Sequence, residues 1–194
     1  MTLEETIEKI QPVDEKAMEA AKKHWDSLGK PLGSLGRLEK AVIQIAGIQR
    51  TGDVHIDRKA LVIMCADNGV VEEGVTQCGQ EVTATVAENF LDEKSCVAIM
   101  CKRANTKICP VDIGMSIDTP RVEKRKIAYG TENMTKKPAM TREQAIAAIE
   151  VGIARAEELQ AEGYEVLATG EMGIGNTTTS SAMTAVYLGL DVET

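Results

Sequence analysis

The sequence predicts an α/β protein: a Rossmann-like, three-layer, mostly parallel sheet flanked by helices, with an N-terminal helical segment that belongs to a smaller subdomain. Three observations carry this expectation. Residues 60–66 and 107–112 are short apolar runs without polar alternation, the pattern of strands buried on both faces of a parallel sheet. Helical periodicities separate the runs, and strands alternating with helices imply crossover connections and a sheet covered on both sides. Finally, three expected strand ends carry an acidic residue beside glycine: Asp67, Asp112 and Glu171. Ligands in such folds bind beyond the carboxyl ends of the strands, so these three mark one edge as the site. Taken singly, each Asp also suits a turn or a helix cap.

The elements follow in order. Residues 14–28 form a helical pattern with Ala17, Met18, Ala21 and Trp25 on one side; Gly29 and Pro31 stop it. Residues 35–49 form a second, with Leu38, Val42, Ile45, Ala46 and Gln49 in register. A polar linker, 51–58, leads to the strand at 60–66. Residues 82–91 and 95–104 read as helices, 107–112 as the second strand and 126–129 as a short third strand. Thr141 with Gln144 makes a capping box, and Ile146, Ile149, Ile153, Ala156 and Leu159 form a helical stripe closed by Gly163. Residues 165–169 are the last strand. It enters a glycine-rich turn and then a helix over 178–188. The expected division is 1–58 for the helical segment and 59–194 for the α/β domain.

Composition excludes several functions. The chain has 194 residues, 43% hydrophobic and 27% charged, as in globular domains. Aromatics are 3%, so the core must come from Ala, Val, Ile, Leu and Met. The net charge of −8 argues against nucleic acid or anionic membrane as partner, since both attract basic surfaces. The apolar runs 60–66 and 96–101 fall far short of the roughly 20 residues of a membrane span. Residues 1–10 are acidic and amphipathic and lack the layout of a signal peptide. Cys65, Cys78, Cys96, Cys101 and Cys109 form no C-x-x-C pair, and all but Cys78 sit in apolar runs. They read as packed, reduced thiols of a cytoplasmic protein. His24 and His55 lack ligand spacing, so no metal and no cofactor is expected.

The stretch Gly170-Glu171-Met172-Gly173-Ile174-Gly175-Asn176-Thr177 is the most informative. Glycines between a strand and a helix let backbone N–H groups approach an anion, and the helix N-terminus adds positive potential. Phosphate is the natural guest; a tight structural turn is the alternative. There is no Gly-Lys-Ser/Thr, and the order G-x-x-G-x-G reverses the dinucleotide fingerprint. Glu171 would repel a phosphate in the turn unless it points elsewhere. A carboxylate suits a neighbouring electron-poor centre, either a ribosyl group becoming an oxocarbenium ion or an azole N–H losing its proton.

Four segments carry a resemblance: Lys30-Pro31-Leu32-Gly33-Ser34-Leu35-Gly36-Arg37-Leu38-Glu39; Cys65-Ala66-Asp67-Asn68-Gly69-Val70 with Glu73-Gly74-Val75; Pro138-Ala139-Met140-Thr141; and Gly170 to Thr178. In this order and spacing, from about residue 14 onward, the chain resembles the nicotinate-nucleotide:dimethylbenzimidazole phosphoribosyltransferase family. The resemblance implies transfer of phosphoribosyl from nicotinate mononucleotide to 5,6-dimethylbenzimidazole, a step of cobalamin lower-ligand synthesis, in a homodimer. By position it implies that Gly173, Ile174, Gly175, Asn176 and Thr177 cradle the phosphate and that Glu171 stands at the reacting centre. Cys78, Val86 and Met172 would line a pocket for a benzimidazole-type base. Cys78 and Val86 fall where family members can carry polar residues, which leaves the accepted base open. The usual Asp-His-Gly is Asp67-Asn68-Gly69 here. Family enzymes continue past residue 194, and the glutamate usually assigned as general base lies in that portion. The chain therefore reads as a fragment, a truncated chain or half of a split protein, expected to be inactive by itself. Two other classes stay open: a non-catalytic truncated paralogue or split-protein subunit that binds nucleotide or a partner chain, and a dinucleotide-binding oxidoreductase domain, which the glycine order disfavours.

Overall fold

The computed structural model describes residues 1–191. These fall into two compact units, one of Glu4–Asp57 and one of Met1–Leu3 with the chain from Arg58 onward.

After a short helix α1 (Leu3–Lys9), the smaller unit is a pair of helices, α2 (Glu15–Ser27) and α3 (Arg37–Gln49). Asp14 caps α2 by accepting from the Lys16 and Ala17 N–H groups, and its own N–H donates to the Gly47 carbonyl of α3 at 2.9 Å. The two helices meet on small residues. Ala17, Ala21, Ala46 and Gly47 are buried, and a Cβ on Gly47 would fall 2.6 Å from the Met18 side chain. Helix α3 begins at Arg37, not at 35, because Gly33 and Gly36 take positive φ values of 67° and 55° and carry the chain through a turn. Inside that turn Lys30 Nζ lies 2.7 Å from Glu39 Oε1, and the Leu35 N–H donates to the same oxygen at 3.1 Å. Lys30 and then Leu35 hold the Glu39 carboxyl below its ordinary pKa. The motif from Lys30 to Glu39 is thus a lock on the connection between two helices.

The larger unit is built on β1 (Lys59–Ala66), which pairs in parallel with β2 (Thr106–Gly114) on one side and β4 (Val166–Met172) on the other. The sheet order is β3-β2-β1-β4, all parallel, with β3 only Glu123–Lys124. Helices α4 (Glu81–Leu91), α5 (Cys96–Arg103), α6 (Arg142–Ala161) and α7 (Asn176–Leu188) complete it. Alternate residues of β1 face opposite ways. Leu61, Ile63 and Cys65 join Ala84, Ala87, Phe90 and Cys101 of α4 and α5, with Met115 and Val122. Ala60 and Val62 join Cys109 and Leu159 of α6. This gives helix layers on both faces, as expected for parallel strands. No helix among the described residues is long and apolar enough to cross a membrane.

Four local expectations need correction. The third strand is at 123–124, not 126–129: Arg125, Ile127 and Gly130 still donate to the Asp112, Ile113 and Gly114 carbonyls of β2, but as a loop without a regular ladder, and Lys126 makes an ion pair with Asp112. Ile149 and Ala156 of the α6 stripe are exposed; the sheet-facing line runs instead through Gly152, Arg155 and Leu159. Gly152 stands over Met64 of β1, whose methyl would be 4.0 Å from a Cβ at that position. Among the cysteines, Cys65, Cys101 and Cys109 are buried, but Cys96, first residue of α5, is exposed along with Cys78. Strand β2 runs on to Gly114 and β4 runs from Val166 to Met172, so Asp112 is not the last residue of its strand and Glu171, expected just past one, lies within β4.

Candidate active site

The sheet order reverses direction between β1 and β4: the chain adds β2 and β3 on one side of β1 and then crosses to the other. Such a switch point, at the carboxyl ends of the strands, is where doubly wound sheets bind ligands. Two segments meet there, Asp67-Asn68-Gly69 after β1 and the glycine-rich turn after β4.

Asp67 is 1% exposed. Its Oδ2 accepts from the Ser116 N–H at 2.7 Å and the Ser116 hydroxyl at 2.8 Å, and its carbonyl accepts from the Thr131 N–H at 2.9 Å. It therefore ties the loops that follow β1 and β2. Gly69 is required by close approach, since a Cβ would lie 2.5 Å from the Thr131 carbonyl oxygen. Asn68 reaches toward β4: its Nδ2 donates to the Ile174 carbonyl at 3.1 Å and its Oδ1 accepts from the Thr179 hydroxyl at 2.9 Å.

The turn itself is fixed by sterics. A Cβ on Gly173 would collide with the Ala66 carbonyl oxygen. Gly175 has φ +87°, and a Cβ there would sit 2.9 Å from a Val71 methyl. Helix α7 starts at Asn176, two residues earlier than the sequence pattern suggested. Two amides of the expected phosphate cradle are committed elsewhere: the Ile174 N–H donates to Thr83 Oγ1 at 3.1 Å and the Asn176 N–H to the Gly173 carbonyl at 3.1 Å. The amides of Gly175, Thr177 and Thr178 have no acceptor among the described residues, as expected for a helix start. These three are donors that the turn can offer an anion.

Glu171 is exposed, and its Oε1 accepts from Asn176 Nδ2 at 2.5 Å. Paired with Met64, it lies on the α6 side of the sheet. A cavity of about 810 Å³ opens on that side, lined by Ala66, Gly114, the stretch 127–132 and Lys137 to Arg142. It includes the whole Pro138-Ala139-Met140-Thr141 motif, but none of the site residues expected from the sequence lines it. Met172 faces the other way and packs, with Val86, against the α4–α5 core. Cys78 is exposed in the loop before α4. The structure thus brings Met172 and Val86 onto one cluster and leaves Cys78 at the surface.

Asp112 differs from the other two strand-end acids. It is wholly buried, pairs in register with Cys65, and so faces α4 and α5. Its Oδ1 accepts from the Met115 N–H at 2.9 Å, and Oδ2 lies 3.1 Å from Lys126 Nζ. As a ligand-facing candidate Asp112 is therefore corrected to a structural turn-former. Burial pulls the Lys126 pKa down, but Asp118 and Asp112 outweigh it and the net shift is upward. Desolvation pushes the neighbouring Cys65 thiol up to about 12. Among the described residues no group of three His, Cys, Asp or Glu gathers into a metal-binding cluster. Sequence reasoning missed Thr83 and Ser116 as partners of the site loops. Nothing in their local pattern marks them, because their roles are set by contacts 91 and 49 residues away.

Residues 10–194 match a family model described as phosphoribosyltransferase. The chain belongs to this phosphoribosyltransferase family. It is 48% identical over 191 residues to the nicotinate-nucleotide–dimethylbenzimidazole phosphoribosyltransferase of Clostridium tetani, covering 97% of this chain and 53% of that one. It is 50% identical to the enzyme of the same name from Ruminiclostridium cellulolyticum, covering 99% of this chain and 55% of the relative. A crystal structure of such an enzyme from Thermus thermophilus superposes with a TM-score of 0.85 at 38% identity, over 91% of this chain and 55% of that one. The chain spans about half the length of the curated relatives it matches. The family and the α/β fold read from the sequence both hold.

Proposed function

We propose that this phosphoribosyltransferase chain supplies the donor-phosphate site and one reacting carboxylate for transfer of phosphoribosyl from nicotinate mononucleotide to 5,6-dimethylbenzimidazole, giving α-ribazole 5′-phosphate and nicotinate. The observation that carries the reading is the pairing, at the β1/β4 switch point, of a helix start with uncommitted amides and an exposed glutamate held beside it by Asn176. The similarity to nicotinate-nucleotide–dimethylbenzimidazole phosphoribosyltransferases supports the choice of substrates.

The chemistry suits these groups. In the donor the leaving nicotinate is a pyridinium, so its departure neutralises a charge and calls for no proton. Positive charge builds at the ribose C1′. A carboxylate near that carbon stabilises it, or takes the proton that the acceptor azole must lose. Asn176 serves both parts: it begins the helix whose N-terminus attracts the phosphate, and its Nδ2 fixes Glu171 so that the carboxylate does not swing over the anion. Met172 and Val86, half-buried on the α4–α5 side, with Cys78, are the residues of this chain that select the acceptor ring. A homodimer is part of the same reading.

The test is titration calorimetry with nicotinate mononucleotide, followed by chromatographic assay of α-ribazole phosphate in the full-length protein. The reading expects saturable donor binding that competes with inorganic phosphate. Absence of competition would remove the phosphate site. Binding without turnover would leave a nucleotide-binding protein and remove the transferase.

A further inference from the structure

We infer that Asn68 is a positioning residue that holds the glycine-rich turn in its anion-binding shape by clamping the Ile174 peptide; the inference rests on the function proposed above. The two peptide groups that flank the Ile174 Cα are each held by a side chain from outside the turn. The Ile174 N–H donates to the hydroxyl of Thr83, a fully buried residue of α4, at 3.1 Å, and the Ile174 carbonyl accepts from Asn68 Nδ2 at 3.1 Å. Asn68 then reaches one turn into α7, where Oδ1 accepts from the Thr179 hydroxyl at 2.9 Å. Its backbone carbonyl accepts from Gln80 Nε2 at 3.1 Å and from the Val71 N–H at 3.2 Å. One residue therefore joins the end of β1, the entrance of α4, the turn after β4 and the first coil of α7.

The amide orientation of Asn68 is fixed by chemistry. The Ile174 carbonyl can only accept, so the amide nitrogen must face it, and the amide oxygen is left for the Thr179 hydroxyl. With the Ile174 peptide pinned, Gly175 is held at φ +87° and its N–H and those of Thr177 and Thr178 keep a fixed direction. Pre-set donors bind an anion without first being ordered. Asn68 does not touch the bound group; it acts through the turn.

Asn68→Asp keeps the size and the Thr179 acceptor but loses the donor to Ile174 and sets an anionic oxygen against a carbonyl. Hydrogen exchange at the two bonded amides of the turn, Ile174 and Asn176, measured without ligand, is expected to quicken roughly ten-fold or more, and the dissociation constants of both inorganic phosphate and nicotinate mononucleotide to rise by about ten-fold, the worth of one hydrogen bond to a fixed group. Asn68→His, which keeps one donor and one acceptor, is expected to restore most of both. Thr179→Val, which removes one partner without altering Asn68, is expected to show a smaller change of the same kind and serves if Asn68→Asp does not fold. In the full-length protein the KM for the donor rises and kcat changes little. Unchanged exchange in Asn68→Asp and Thr179→Val overturns the inference, as does a fall in melting temperature with unchanged phosphate affinity. If exchange quickens while the unaltered protein binds neither probe, the clamp stands and the proposed function fails.

Discussion

Two strand ends of this molecule begin with the same local wording and come to opposite ends. At the close of β2, Asp112 is followed two residues later by Gly114; at the close of β4, Glu171 is followed two residues later by Gly173. Asp112 is sealed in the core, neutralised by Lys126 and bonded to the Met115 N–H. Glu171 stands in solvent, bonded to a neutral amide. What separates them is strand parity and position. Asp112 is level with Cys65 and faces the helices α4 and α5, while Glu171 is level with Met64 and faces the open α6 side. β2 lies within the run of strands added in one direction, whereas β4 flanks the reversal. An acid beside glycine at a strand end is therefore not in itself a site; on the function proposed above, Glu171 is one because the sheet changes direction beside it and it stands exposed with a neutral partner.

The sharpest way to break the comparison is to neutralise the exposed acid. Glu171→Gln retains the shape and can still accept from Asn176. A drop of about 10²–10⁴-fold in turnover is expected, the usual weight of a general base or charge-stabilising carboxylate, with donor affinity and melting temperature near those of the unaltered protein. Steady-state kinetics in the full-length protein and a thermal melt give the answer. An unchanged rate, or a large fall in stability, would put Glu171 in the same class as Asp112.

The buried acid should respond in the opposite way. Lys126→Met removes the cation while leaving Asp112 wholly enclosed. Breaking one side of a buried pair costs about 3–5 kcal/mol, so chemical denaturation should show a loss of that order, with phosphate affinity of the folded fraction unchanged. A small loss would mean that water reaches Asp112 and that the contrast with Glu171 is one of degree.

Between these in kind is the turn itself. Gly175→Val forces a β-branched side chain into a left-handed backbone and against Val71. Left-handed strain is about 1–2 kcal/mol for an L residue, to which the clash adds, so phosphate binding should weaken by roughly ten- to a hundred-fold. Calorimetry at equal folded concentration decides it. Equal affinity would show that the amides following β4 are not the anion site.

Much of this was legible in the sequence. The buried strands at 60–66 and 107–112, the Thr141 capping box and the glycine-rich turn follow from short-range rules, and the four motifs pointed to the family. What could not be read depends on distance. That Asp112 meets Lys126 needs the chain to fold back after β2, and in that returning stretch only Glu123–Lys124 form a strand, while 125–130 follow β2 as a loop. That Ile174 spends its N–H on Thr83 depends on α4 packing beside the turn, so a cradle of successive free amides was too generous. The α6 stripe held in part: Leu159 is buried and Ile146 and Ile153 half-buried, while Ile149 and Ala156 are exposed and Gly152 and Arg155, which no apolar periodicity marks, share the inner side.

The smallest effect tests how dry the ground between the two strand ends is. Cys65 lies level with Asp112 on one side and Met172 on the other, and burial, then the nearby carboxylates of Asp112, Glu171 and Asp67, raise its thiol from 9.0 to about 12. A raised pKa means that the folded state holds the proton more tightly than the unfolded one. Stability is thus fully present below pH 9, falls as pH rises from 9 toward 12, and gains nothing from acid. The expected slope in that window is at most about 1.4 kcal/mol per pH unit. Lys126, also raised, adds to the loss only above its unfolded value of 10.5, so the interval from 9 to 10.5 isolates the thiol from that lysine. Denaturation midpoints measured across this interval should fall in the unaltered protein and fall less steeply in Cys65→Ala, where only the Cys101 thiol, also raised by burial, is left to contribute. If Cys65→Ala keeps the whole slope, the thiol is hydrated, and the carboxyl edge of β1 is wetter than the burial of Asp67 and Asp112 implies.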